Sequence, residues 1–122
     1  MLEHLSPREA ELDVANLCAH TDDVLFSSTP MDYREATHVN VHPPDQWAEL
    51  FARQGLFHDL DYDAGYITSW AARFRRRGEP VTRLVRHYER RLWLLQTENA
   101  EVRLFNGQCR SELAAWSRRL AA

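Results

Sequence analysis

The 122-residue chain has no lysine, and all fifteen of its basic residues are arginine. Arginine pairs well with carboxylates, but coding bias is the first reading of such a complement. Glycine is scarce: Gly55, Gly65, Gly78 and Gly107 are the whole supply. No two of them form a Gly-x-Gly pair, so no glycine-rich turn is present to cradle a nucleotide-like group. The two cysteines, Cys18 and Cys109, lie far apart, which excludes a disulfide framework and a Cys-x-x-Cys site. A reducing cytoplasm is the expected compartment. No apolar run approaches the ~20 residues that cross a bilayer. Met1-Leu2-Glu3-His4 lacks the basic and apolar stretches of a secretory leader, so no membrane partner is expected. Proline occurs at 7, 30, 43, 44 and 80 and nowhere later.

What is present is ordinary globular composition, 44% hydrophobic and 27% charged. The length allows one domain with an appendage. A net charge of −3 conceals an asymmetry. Residues 1–63 carry thirteen acids against three arginines, and residues 64–122 carry five acids against twelve arginines. Such a split predicts two physical units, or two halves that attract one another.

Two periodicities divide the chain at about residue 77. In the first region, Ser6-Pro7-Arg8-Glu9 reads as a helix start, with a serine cap, proline at the first position and Glu9 three residues after the cap. Ala10, Val14, Leu17 and Cys18 follow at helical spacing, and Thr21-Asp22-Asp23 ends the helix. Val24–Ser28 reads as a strand buried on both faces. Met31–His42 is a polar connection. Pro43-Pro44-Asp45-Gln46-Trp47 opens a second helix with Trp47, Leu50 and Phe51 inward, and Gly55 suits its C-terminal cap. Leu56 to Tyr62 alternates as a strand. Ile67 to Phe74 fits either a strand or a helix. The order of elements predicts part of an α/β sheet.

From Val81 to Leu120, apolar residues recur alternately four and three apart. With Val85 as position a, the a set is Val85, Leu92, Asn99, Asn106, Leu113 and Leu120. The d set is Tyr88, Leu95, Val102, Cys109 and Trp116. This predicts one helix of roughly 60 Å at 1.5 Å per residue. Asparagine at a fixes register and strand number in a parallel two-stranded coiled coil, which predicts a homodimer. Gly107, costly inside a helix, favours an amphipathic helix docked on its own domain, and antiparallel pairing is a third arrangement.

The first region resembles the C-terminal half of class I S-adenosylmethionine-dependent methyltransferases. The likeness rests on Leu2-Glu3-His4-Leu5 before a capped helix, then Asp22-Asp23-Val24-Leu25-Phe26-Ser27-Ser28-Thr29-Pro30. A histidine-containing loop follows, and then Pro43-Pro44-Asp45-Gln46-Trp47 through Gly55-Leu56-Phe57. It covers residues 1–77 and implies a truncated Rossmann-like α/β half-domain, with residues 78–122 a long helix outside the family pattern. The fifth strand would be Val24–Ser28, the sixth Leu56–Tyr62 and the seventh roughly Thr68–Arg76. The implied activity is methyl transfer from S-adenosylmethionine to a small-molecule acceptor. The family's glycine turn and ribose-binding acid have no counterpart here, so no cofactor-binding residue is assigned. The isolated chain is expected to be inactive, with a separate N-terminal half as the implied partner. The other reading is a non-catalytic dimerisation or scaffold module built on a methyltransferase remnant.

The resemblance places Glu3 and His4 beside cofactor and substrate, where His4 would serve as a general base toward a hydroxyl. Without that setting they are a loose chain end. His38 and Tyr33 would face substrate, or else lie in a solvated loop. His38 and His42 stand four apart in an extended segment, ~13 Å across, too far to share one metal ion, and no metal site is assigned. Arg73, Arg75, Arg76 and Arg77 form either a nucleic-acid-binding patch or a solvated sheet end. The net negative charge and the lack of a stacking platform argue for the second. Trp47, Trp70 and Trp93 read as packing residues.

Overall fold

The serine, proline and glutamate at 6, 7 and 9 do what their spacing requires. In the computed structural model, which describes residues 2–120, helix α1 runs Pro7–His20 and Ser6 caps it. The Glu9 amide donates to Ser6 Oγ, and the Ser6 amide donates to Glu9 Oε2 at 2.9 Å, closing a reciprocal box. A 3-10 turn, Leu2–His4, precedes it. Strand β1 (Asp23–Phe26), helix α2 (Pro44–Arg53), strands β2 (Leu56–His58) and β3 (Ala72–Arg76) and helix α3 (Val81–Leu120) follow. The contacts divide the chain into two units, Met1–Glu79 and Pro80–Ala122.

In the first unit the strands form one sheet in the order β1-β3-β2, with β3 antiparallel to both neighbours. Val24 and His58 both lie opposite Phe74, so alternate residues of the three strands share one face. That face packs against α1 and α2 through Leu2, Ala10, Val14, Cys18, Trp47 and Phe51. Phe51 stacks on Phe74 with ring centroids 4.3 Å apart, and Phe26 meets both rings edge-on. The opposite face carries Asp23, Leu25, Phe57, Arg73 and Arg75.

Several sequence expectations change here. The expected strand Val24–Ser28 ends at Phe26 and is buried on one face only, with Leu25 49% exposed. Ser27 and Ser28 lie beyond the ladder, and their hydroxyls bond Thr68 and Glu3. The expected strand Leu56–Tyr62 stops at His58, because Tyr62 turns back to donate to the Asp59 carbonyl. The last strand starts at Ala72 rather than near Thr68, since Ile67 and Ala71 close successive turns on Ala64 and Thr68. Trp47 is buried, but Trp70 is 38% and Trp93 63% exposed, so only the first packs as expected.

Gly55, at φ +81°, follows the α2 cap, a conformation open to glycine at little cost. In the second unit, α3 is a single 40-residue helix continuing through Gly107. Its a and d residues from Val85 to Leu120 are exposed, apart from half-buried Cys109. No helix among the described residues is long and apolar enough to cross a membrane.

Candidate functional site

The 3-10 turn and the loop before α2 are tied together through one residue. Buried Asn40 donates from its amide to the Glu3 carbonyl at 3.0 Å and from Nδ2 to the Leu2 carbonyl at 3.3 Å. Leu2 is itself buried in the core. Residues 2–4 are therefore tied to the core and to the loop before α2. The same link brings His38 against them, with the rings of His4 and His38 4.6 Å apart, edge to face. One ligand-capable atom from each of Glu3, His4 and His38 lies within 4.8 Å of the other two.

Each side chain is held by a partner. His4 Nδ1 is 3.2 Å from the Thr37 carbonyl, and His38 Nδ1 is 3.1 Å from the Asp32 carbonyl. A carbonyl oxygen only accepts, so the ring nitrogen donates in both cases. The Asp32 carboxylate also stands 3.6 Å from His38 Nδ1. Buried Ser28 donates to Glu3 Oε2 at 3.2 Å. Partial burial pushes the Glu3 carboxyl up, but hydrogen bonds and nearby positive charge pull it below its ordinary value on balance. Tyr33, expected to share the site, is 71% exposed and is not part of the cluster. His42 packs edge-on against Trp47 instead, with ring centroids 5.4 Å apart.

A second polar cluster was not foreseen. Asp59, buried, accepts from Arg77 at 3.0 Å and from Arg75 at 3.5 Å, while Arg73 lies 3.7 Å away. Arg73 also donates from Nε to Asp23 at 2.8 Å. The Asp23 carboxyl is held below its ordinary value, first by that hydrogen bond. Arg76 pairs with Asp22 and donates to the carbonyls of Cys18 and Gln54. The four arginines thus all have acidic or carbonyl partners within the chain, although the Arg75 and Arg76 side chains remain 48% and 43% exposed. The signal was the i, i+2 repeat of Arg73 and Arg75 on one face of β3, continued by Arg77 just past its end, together with the acids at 23 and 59.

A groove of about 570 Å³ runs beside β1, lined by Leu2, Val14, Leu17, Leu25 and Phe26 among others. β1 has β3 on one side and no strand on the other among the described residues. No family model, curated protein or solved structure matches this chain.

Proposed function

We propose that the first unit is the substrate-side half of a Rossmann-like, S-adenosylmethionine-dependent methyltransferase, completed by a cofactor-binding half lying outside these 122 residues. The observation that supports this is the open β1 edge beside the apolar groove. An unpaired strand edge offers a row of backbone donors and acceptors to a further strand, and the groove offers apolar area to that strand's layer. The cofactor's own contacts are assigned to the missing half, because no Gly-x-Gly turn exists in this sequence. Glu3, His4 and His38 would then face a small-molecule acceptor, with His4 as the proton-accepting group.

The test supplies the other half. The reading frame immediately upstream is searched for strand, Gly-x-Gly-x-Gly turn, helix, strand and acidic residue, and its product is co-expressed with this chain. Calorimetry then measures S-adenosylmethionine binding, which is expected for the pair and absent for this chain alone. Leu25→Asp, a charge placed in the groove outside the core, is expected to abolish binding by the pair while leaving the helical content of this chain intact. Tight binding by the isolated chain rejects the proposal.

A second reading, a dimerisation module with no chemistry of its own, is favoured by the solvent-facing a and d residues of α3. Its occupant would be a second copy of this chain, matched through Asn99 and Asn106.

A further inference from the structure

We infer that Glu3, His4 and His38 form a binding site for one divalent first-row transition ion of the zinc class. Two imidazoles and one carboxylate are a donor set that suits such ions, with three protein ligands and the remaining positions left to water or another oxygen ligand.

The histidine tautomers carry the argument. Each Nδ1 donates to a main-chain carbonyl, so a neutral ring keeps its lone pair on Nε2. Metal-ligating histidines are oriented in this way, with the far nitrogen donating to a carbonyl or carboxylate. His38 Nδ1 bonds the Asp32 carbonyl, and the Asp32 carboxylate lies nearby at 3.6 Å. The third ligand is also braced, by the Ser28 hydroxyl on Glu3 Oε2. The backbone under the cluster is fixed by the Asn40 amide and side chain. Access is open: His4 is exposed, and the His38 side chain retains 12% exposure.

The geometry asks for a modest closure. Tetrahedral ligands at zinc bond lengths stand about 3.3 Å apart, and one ligand-capable atom of each residue, a ring nitrogen or a carboxylate oxygen, lies within 4.8 Å of the other two. Ion binding therefore requires rotation of Glu3 and exposed His4 toward His38. The inference concerns this chain alone and does not depend on methyl transfer; with the ion bound, the His4 Nε2 lone pair is a ligand and no longer a proton acceptor.

The full chain, stripped with a chelator, is titrated with Co²⁺ and then with Zn²⁺ at neutral pH. One saturable Co²⁺ site is expected, with visible absorption that Zn²⁺ abolishes. Paramagnetic broadening of histidine ring NMR signals is expected at His4 and His38 and not at His42 or His20. Glu3→Gln, His4→Ala and His38→Ala are each expected to weaken binding at least about tenfold, and His42→Ala to leave it within about twofold. Far-UV circular dichroism checks that each variant keeps its helices. Absence of saturable binding overturns the inference. So does broadening centred on other histidines, or affinity unchanged in all three ligand variants. The NMR readout uses the unmutated protein, so it decides the matter even if a variant fails to fold.

Discussion

Arg76 shows how much one side chain can hold in a small core. Its guanidinium donates to the carbonyl of Cys18 near the end of α1 and to that of Gln54 at the end of α2. Those are the carbonyls a helix leaves without intrahelical partners, at the end where its dipole is negative. One cation therefore closes two helices against the strand that carries it. Arg76→Lys keeps the charge but loses the planar fork that reaches both acceptors. It is expected to lower stability by about 1–2 kcal/mol in urea titration, and Arg76→Met by at least as much. His58, at the end of β2 against Phe74, gives a pH signature. Burial lowers its readiness to take a proton, and the neighbouring Asp59 charge offsets only part of that. The unfolded chain then binds the proton more readily than the folded one. Stability is full above the ordinary imidazole range near pH 6.5 and falls as pH drops below it. A lower urea midpoint is expected at about pH 5.5 than at about pH 8, and His58→Gln is expected to flatten that difference.

Elements with local signals were legible in the sequence. The box at Ser6 and Glu9 specifies α1 through contacts three residues apart, and the 4-3 apolar repeat specifies α3 over forty residues. Strand limits were not legible, because hydrogen-bond partners far along the chain set them. Just past the end of β1, Ser28 bonds Glu3, twenty-five residues away, and Ser27 bonds Thr68, forty-one away. The candidate site divides in the same way. Glu3, His4 and His38 could each be singled out by residue type, but their meeting depends on Asn40 bonding the 3-10 turn. No spacing rule links positions 4 and 38, whereas His38 and His42 share the i, i+4 spacing that sequence alone can show. For α3, the proposed pairing makes a sharp expectation. Sedimentation of the intact chain should give a dimer, and Asn99→Leu with Asn106→Leu should give a mixture of higher states, since leucine at a no longer specifies two strands. A monomer in both cases rejects the pairing.

At the scale of the whole chain, the core cluster ends at Phe74, inside the first unit. Residues 1–79 alone are therefore expected to unfold in one cooperative urea transition. The stability should lie toward the low end, as about 80 residues bury a limited fraction of their surface. Loss of cooperativity in that fragment would show that the second unit is needed to fold the first. The charge asymmetry has a partial account at this scale. Asp22, Asp23 and Asp59 from the acidic portion meet Arg73, Arg75, Arg76 and Arg77 from the arginine-rich portion, joining the strands across long separations. Such pairs are partly exposed and screened by salt, so their contribution should shrink as ionic strength rises.

The strand made last sits in the middle of the sheet. β1 and β2 each hydrogen-bond to β3 and not to one another. During synthesis, neither has a ladder partner until Ala72–Arg76 has cleared the ribosome exit, so the sheet assembles in a single late step. A nascent chain halted before Ala72 would hold two helices and two orphan strands, an open target for proteases and chaperones.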